Sequence, residues 1–415
     1  MTNYAIYGLK GNPFPENEIE PFSSQEDAAV VAKKVCVGVR QKEIDEIKKK
    51  FLQPILSEPP RATCLWVQGE IGIGKTFVFA HMLDQLGSKY ANSVKTVYVE
   101  HPQTGISGIY DHHLRWLGRP FLADLSVSLV SKVLKLNPEL INDEKTKPVL
   151  KRLARERGRK DELSSLVDTG RIDPKEVARF GTLSIGEGRL FMEDRFVNLV
   201  LQFHAEPDSC YEKLRAYPKG SRLDALATLF YLIRFVGFKM TVVFIDQLEH
   251  VWDTLTPHRK TGLAVDLREL VQRSLPNASF VVTTNLEAYK DMRYNSPTIF
   301  RALPYDPQKV VNVDRLSHEK VRQLVAWYLD RERKTRSHKC DPFTEEGIDS
   351  TYESLGGVKV GTLLVRLRGI LESAADKKMK RIDGAFIDQY NAQTPVAETA
   401  PTEDGELIRE EEFGR

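Results

Sequence analysis

A glycine-rich segment that ends in a lysine and a threonine is the strongest chemical signal in the sequence. It fits the pattern G-x-x-x-x-G-K-[ST], and Lys75 and Thr76 are its last two members. Glycines let backbone N–H groups curl around phosphates, and a helix that begins at Lys75 directs its positive dipole end at the same anion. The segment therefore predicts a site for ATP and Mg2+, with Lys75 near the β and γ phosphates and the Thr76 hydroxyl as a metal ligand. The residues assigned to nucleotide binding are Gly69, Glu70, Ile71, Gly72, Ile73, Gly74, Lys75, Thr76 and Phe77.

An aspartate that directly follows an apolar run is the second candidate for chemistry. The run Val242–Ile245 has four apolar residues, and Asp246 comes next. A phosphate-binding loop of this kind needs a carboxylate at the end of a neighbouring strand to hold the magnesium shell. Asp246 is therefore predicted to hold Mg2+ together with Thr76. The alternative is that Asp246 only caps the helix that follows it.

The residue that would activate water is less clearly marked. ATP hydrolysis needs a group that orients or deprotonates the attacking water, and many ATPases with this loop place a glutamate directly after the aspartate. Here that position is Gln247, whose neutral amide can orient a water but is a poor proton acceptor. Glu249, two residues further on, can act instead if the turn after the strand presents it. Gln247 as the active residue predicts a slow ATPase that holds ATP for a long time, and Glu249 predicts a faster one.

The elements that must position these residues alternate between short apolar strands and helices. Helices are predicted at Gln41–Leu56, Lys75–Leu86, Arg222–Phe235 and Pro257–Leu275, between and around the strands. Such an alternation predicts an α/β fold in which a parallel sheet carries helices on both faces. The strands are predicted at Thr63–Gln68, Lys95–Glu100, Met240–Asp246, Ala278–Thr284 and Val310–Val313.

The predicted elements divide the chain into a core and three additions. Residues 1–100 and 221–315 are assigned to the nucleotide-binding core, and residues 101–220 to a helical insertion, because structureless loops of that length are rare inside a domain. From Ser317 the pattern is helical only and predicts a lid over 316–390, with Ser317 and Thr344 as N-caps. Residues 391–415 are rich in Thr, Pro, Ala and Glu and are expected to be a disordered acidic tail.

Composition excludes several classes of protein. Hydrophobic residues make up 41% of the 415 residues, yet no apolar run approaches the roughly 20 residues that a membrane helix needs. The four cysteines lie far apart and the histidines, including His112 and His113, show no ligand spacing, so no zinc site or disulfide framework is expected. The N-terminus does not resemble a secretory signal, and a cytoplasmic location is expected.

The net charge of +2 is unevenly distributed. The tail from Glu398 to Arg415 holds seven acidic and two basic residues, so the rest of the chain is clearly basic. Basic residues cluster at 145–160, 331–339 and 377–381. Such clusters can contact nucleic acid, but runs of this kind are more often ordinary solvated helix faces.

The order of the motifs resembles that of AAA+ ATPases. GEIGIGKT, VVFIDQLE and a strand that ends in VVTTN precede a helical region, and this order is similar to the initiator-like branch: origin-recognition ATPases and the ATPases of DNA transposition and BREX phage defence. The resemblance covers residues 30–100 and 220–390. It implies that Asn285 is a polar sensor near the γ-phosphate and that Arg40 lies near the adenine. It also implies a homo-oligomer in which Arg293 or, preferably, Arg301 reaches the ATP of the neighbouring subunit.

The sequence departs from that family in three places. Gln247 replaces the family's catalytic glutamate, and the segment 356–360 lacks the expected sensor arginine, so Lys359 or Arg366 would have to serve. No winged-helix domain follows the lid, so DNA binding by that module is not expected.

Three functions are weighed on this basis. The first is an ATP-driven molecular switch that acts on or near DNA and recruits a partner protein. The second is a signalling or phage-defence NTPase that gates a protein partner without contacting DNA. A small-molecule kinase is the weakest of the three, because a compact kinase does not need the helical lid.

Overall fold

The computed structural model describes residues 3–17, 22, 25–33, 37–100, 105–136, 177–178, 181–182, 192–295, 297, 309–337, 339–356 and 359–394. The chain divides into two compact units. The core unit comprises Ile19–Arg315, and the helical unit comprises Met1–Glu18 together with Leu316–Arg415. The basic cluster at 145–160, Arg301 and most of the predicted acidic tail lie outside the described residues.

The core unit contains a five-stranded parallel sheet with the order β2-β3-β4-β1-β5. Every residue of β1, β3 and β4 is buried. Because successive residues of a strand point to opposite faces, both faces of the sheet must be covered, and the predicted α/β fold class is confirmed. The strands are β1 (Cys64–Gln68), β2 (Val94–Glu100), β3 (Met240–Asp246), β4 (Ala278–Thr284) and β5 (Val310–Asn312).

Helices follow most of the strands along the chain. Two of them, Leu248–Thr254 and Leu286–Asn295, lie directly after β3 and β4 and were not predicted. The segment after Arg40 is helical throughout, with a π-helical turn at Lys48–Leu52 between α2 and α3. The helices of the core unit are α1 (Gln25–Lys33), α2 (Gln41–Ile47), α3 (Gln53–Leu56), α4 (Lys75–Lys89), α5 (Ile106–Leu136), α6 (Asp194–Gln202), α7 (Pro207–Arg215), α8 (Arg222–Phe235), α9 (Leu248–Thr254), α10 (Pro257–Ser274) and α11 (Leu286–Asn295).

The described parts of the predicted insertion are helical. Helix α5 bends at Gly118 and packs on β2 and α8. The indole of Trp116 donates a hydrogen bond to Thr96 O at 3.1 Å, and the Tyr110 hydroxyl donates to Leu214 O at 2.8 Å. The first contact joins the insertion directly to the edge strand β2, and the second joins two helical parts of the insertion. None of the helices within the described ranges has the length and apolar character needed to cross a membrane.

The described part of the helical unit contains four helices in the region that the sequence analysis assigns to a helical lid. Side-chain oxygens cap three of them: Ser317 accepts from the Lys320 backbone, Thr344 from Gly347 and Asp383 from Phe386. Both predicted N-caps are therefore confirmed. The helices are α12 (His318–Glu332), α13 (Glu345–Ser354), α14 (Val360–Asp376) and α15 (Gly384–Gln393).

The N-terminal residues 3–17 pack within the helical unit, although the sequence analysis assigns them to the core. Asn12 donates to Arg368 O and to the Glu372 carboxylate, both at 3.2 Å. Arg368 donates to Phe14 O at 2.9 Å, and the Phe14 ring is buried against Tyr328. Local sequence gives no sign of these contacts because their partners are more than 300 residues away.

Candidate functional site

The glycine-rich loop joins β1 to α4, and its backbone requires glycine at several positions. Gly72 and Gly74 have φ angles of 80° and 102°, in the left-handed region that other residues avoid. A Cβ atom on Gly69 would lie 2.8 Å from Val313 O. The loop is therefore held in one shape by its own sequence and by close packing against the segment after β5.

Lys75 is the first residue of α4 and turns back toward the loop. Its Nζ atom donates hydrogen bonds to Gly69 O at 2.8 Å and to Glu70 O at 3.2 Å. The same atom lies 3.0 Å from Oε1 of Glu249. The lysine is 6% exposed, and three oxygen atoms hold its charged group beside the loop.

Asp246 ends β3 and accepts hydrogen bonds on both of its oxygens. Oδ2 accepts from the hydroxyls of Thr76 at 3.2 Å and Tyr98 at 2.9 Å. Oδ1 accepts from the Thr283 hydroxyl at 2.6 Å and from the Gln247 N–H at 3.0 Å. Burial raises the pKa of Asp246, and the hydrogen bonds from Thr283 and Tyr98 oppose that rise. The fold thus brings together Thr76 and Asp246, the two residues predicted to hold magnesium.

Two of these partners, Tyr98 and Thr283, are absent from the sequence prediction. Tyr98 lies on β2 and Thr283 on β4, the two strands that flank β3. Both have hydroxyl side chains close to the carboxyl end of a predicted strand, where parallel sheets place their functional groups, and that was the available signal. That signal does not show that both hydroxyls reach one carboxylate, because the order and register of the strands determine which side chains meet.

The turn after Asp246 determines which side chain enters the site. Gln247 has a φ angle of 56°, and its N–H also donates to the Thr283 hydroxyl at 2.9 Å. Its side chain is partly exposed. Glu249, in the first turn of α9, is 2% exposed and contacts Lys75, and its Oε2 atom has no hydrogen-bond partner among the described residues. This geometry favours Glu249 over Gln247 as the residue that meets a water at the phosphates.

The ligand chemistry suits magnesium coordinated mainly by a nucleotide. Among the described residues there is no group of three or more His, Cys, Asp or Glu side chains that could hold a metal ion. Mg2+ commonly takes one or two protein oxygens and completes its shell with phosphate oxygens and waters. The Thr76 hydroxyl and the Asp246 carboxylate fit that pattern.

Comparison with known proteins gives similarity at the level of the fold. No protein-family model and no curated protein sequence matches the chain. Three solved structures from Aeropyrum pernix are similar to it. The fold resembles that of the ORC proteins. ORC1 in complex with DNA is 12% identical, with a TM-score of 0.42 over 85% of this chain.

The other two structures are of A. pernix ORC2. Its ADP form is 13% identical with a TM-score of 0.49, and covers 93% of this chain and 73% of its own. Its ADPNP-ADP complexes are 12% identical with a TM-score of 0.48, and cover 87% and 69%. The chain spans 65% of the length of the ORC1 structure.

Two of the residues carried over from that resemblance, Asn285 and Arg366, have local partners in this structure. Asn285 follows β4, and its Oδ1 atom accepts from Ala288 N at 2.6 Å, so it caps α11. Its role as a sensor remains a prediction. Arg293 is exposed on α11. In the helical unit, Arg366 donates to Asn391 Oδ1 at 2.7 and 2.9 Å, and Lys359 is exposed before α14.

Arg40 braces the glycine-rich loop from inside the core unit. Its guanidinium donates to Ile73 O at 2.7 Å, to Asp314 O at 2.6 Å and to the Glu43 carboxylate at 2.9 Å. The side chain is 5% exposed. The observed contacts therefore give Arg40 a role in holding the loop's shape, and its predicted place near an adenine remains untested.

Proposed function

We propose that this chain is an ATP-binding molecular switch of the AAA+ type, with slow or partner-stimulated ATP hydrolysis, that acts on or near DNA. The observation that carries the proposal is the meeting of Lys75, Thr76, Asp246 and Glu249 around one glycine-rich loop. The loop N–H groups and Lys75 would hold the phosphates, and Thr76 and Asp246 would hold Mg2+. Bound Mg2+ would neutralise the charge of the β and γ phosphates.

Hydrolysis would be slow as long as Glu249 stays paired with Lys75. Its Oε1 atom lies 3.0 Å from Lys75 Nζ, so in this arrangement that oxygen is occupied by the lysine and is not free to accept a proton from a water. A triphosphate competes with that carboxylate for the same lysine. A partner that moves α9 relative to the loop would release Glu249 and stimulate hydrolysis. The proposal includes a homo-oligomer and a protein partner, as the family resemblance implies.

The alternative is a signalling or defence NTPase that gates a protein partner without DNA. The tight packing of the insertion on β2, through Trp116, supplies a route from a protein partner to the site. DNA binding measured at several salt concentrations, with and without ATP, separates the two functions. An absence of duplex binding under all these conditions would favour the alternative.

Binding of a fluorescent ATP analogue tests the nucleotide site. Lys75→Ala is expected to abolish detectable binding, because each hydrogen bond to a charged partner contributes about 1.5–3 kcal/mol. The variant leaves the buried Glu249 without its cation, so the double variant Lys75→Ala with Glu249→Gln checks that lost binding is not lost folding. Lys89→Ala, an exposed lysine at the end of the same helix, is the matched control. Affinity close to wild type in a folded Lys75 variant would refute the site.

A further inference from the structure

Two basic segments that are far apart in the sequence meet in the helical unit. Phe343 and Ile382 form a parallel bridge. Ile382 N donates to Pro342 O at 2.8 Å, and Thr344 N donates to Ile382 O at 2.9 Å. The turn after α14 therefore lies beside the loop that follows α12.

The N-terminal segment, residues 3–17, adds a third segment to the same region. Leu9 forms an antiparallel bridge with Arg333, and Lys10 N donates to Glu332 O at 2.9 Å. All the cations that these three segments expose are here called the basic edge. They are Lys10, Arg331, Lys334, Arg336, Lys339, Lys377, Lys378, Lys380 and Arg381.

The loop that carries three of these cations is shaped by one internal arginine. Arg333 pairs with Asp330 at 2.9 Å, and their side chains are 8% and 7% exposed. It also donates to Lys339 O at 2.7 Å and to Asp341 O. Ser337 is tied in through its backbone N–H, which donates to Asp330 at 3.1 Å. The loop is thus closed around Arg333 and needs little ordering when a ligand binds.

The charge of the basic edge is not balanced by its neighbours. The three segments expose nine cations, and the exposed carboxylates among them are Asp341, Asp376, Asp383 and Glu16, the last of which pairs with Arg368. Within the described ranges no ion pair is found for any of the nine cations. By contrast, Arg322 on α12 pairs with Glu345 and Asp349 in the same unit.

We infer that the basic edge binds the phosphate backbone of duplex DNA without reading its sequence. Lysine and arginine side chains neutralise phosphates and release counterions, which is the main source of sequence-independent affinity. Single-strand binders add aromatic side chains for base stacking, whereas here Arg331 lies over Trp327 at 5.0 Å and Lys377 over the buried Phe386 at 5.2 Å. The inference rests on the DNA part of the proposed function and assigns it to the helical unit.

The test is the binding of the full chain to a labelled duplex of about 30 base pairs, followed by anisotropy between about 50 and 200 mM salt. One variant combines Lys334→Ala, Arg336→Ala and Lys339→Ala. A second combines Lys378→Ala, Lys380→Ala and Arg381→Ala. The control removes three exposed lysines of the core unit with Lys42→Ala, Lys89→Ala and Lys290→Ala.

Each basic-edge variant is expected to weaken duplex binding and to reduce the slope of log K against log salt by about 1 for each cation that contacts a phosphate. The control variant should keep the wild-type slope, and all three should bind the ATP analogue like wild type. Wild-type slopes in both basic-edge variants, or an equal loss in the control, would overturn the inference. Binding of polyglutamate but not of the duplex by the wild-type chain would also overturn the inference. If that chain still binds the ATP analogue normally, the assignment of the nucleotide site is unaffected.

Discussion

Glu249 Oε1 lies 3.0 Å from Lys75 Nζ, and both side chains are almost fully buried. The pair joins the glycine-rich loop to helix α9, although the two residues lie far apart in the sequence. Removing one partner of a buried ion pair typically costs about 3–5 kcal/mol, because the other charge is left uncompensated. The pair therefore links the stability of the site to the same two groups that would act on a nucleotide.

Glu249→Gln is expected to lower ATP turnover by about 10²–10⁴-fold, the usual contribution of a general base. Affinity for ATP should be kept or increased, because the amide no longer competes with phosphate for Lys75. Gln247→Glu should change turnover little, since the Gln247 side chain is partly exposed whereas Glu249 is buried against Lys75. Steady-state hydrolysis and analogue binding are the measurements.

Glu287→Gln is the control for these variants. Glu287 lies in the first turn of α11, as Glu249 does in the first turn of α9, but Glu287 is exposed. Faster hydrolysis in Gln247→Glu together with unchanged hydrolysis in Glu249→Gln would contradict the assignment. Gln247 would then be the residue that keeps hydrolysis slow.

Tyr98→Phe removes one hydrogen bond from the Asp246 carboxylate and little else. A hydrogen bond to a charged group contributes about 1.5 kcal/mol or more, so the Mg2+ concentration needed for nucleotide binding should rise roughly tenfold. Nucleotide binding without Mg2+ should stay unchanged. Titration of analogue binding with Mg2+ measures both quantities.

Tyr110→Phe provides the comparison, because Tyr110 also loses a buried hydroxyl contact, to Leu214 O, on the insertion side of the core unit. It should alter the free energy of unfolding without moving the Mg2+ midpoint. If both variants leave that midpoint at the wild-type value, Tyr98 has a structural role only.

Gly69→Ala and Gly74→Ala should each destabilise the protein and weaken nucleotide binding. The first places a methyl group 2.8 Å from Val313 O, and the second holds alanine at a φ angle of 102°. Either strain costs about 1–3 kcal/mol. Gly87→Ala, in open space on α4, should instead stabilise by about 0.5–1 kcal/mol. Urea unfolding tests all three, and equal stability in all would disprove the strained loop.

His113 is expected to make the core unit sensitive to acid. The ring is buried against Phe230, its Nδ1 donates to Ile109 O at 2.7 Å, and burial lowers its pKa to about 4. Between pH 6.5 and about 4 the unfolded chain binds more protons at this residue than the folded one. Stability should therefore fall by about 1–3 kcal/mol as the pH drops through that window.

His113→Leu should remove part of this loss, measured as the difference in urea midpoint between neutral and acidic pH. His112→Leu, at the neighbouring and less buried position, should keep it. Identical pH dependence in wild type and His113→Leu would show that other groups cause the acid sensitivity.

Elements whose signal is local could be predicted from the sequence. Strands β3 and β4 have their predicted bounds because strands buried on both faces read as continuous apolar runs. The glycine-rich loop has strict spacing, and the Ser317 and Thr344 caps depend on residues only three positions away. In each case the partner that matters is within a few residues.

Features that depend on distant partners could not be predicted. Tyr98 and Thr283 reach Asp246 only because β2 and β4 flank β3 in the sheet. The inward direction of Glu249 depends on the left-handed turn at Gln247, which a non-glycine residue rarely adopts. The contact of Arg40 with Ile73 O likewise requires the folded loop.

The helical unit combines a segment before the core unit with a region after it, and this has a consequence for biosynthesis. Residues 3–17 leave the ribosome before their partners from Leu316 onward, which follow roughly 300 residues later. At about 5–20 residues per second, that interval is on the order of 15–60 s. During it the side chain of Phe14 has no hydrophobic pocket to enter, while the core unit is already being completed. Residues 3–17 thus stay exposed in the nascent chain until those partners emerge, and the helical unit can form only after the core unit has been synthesised.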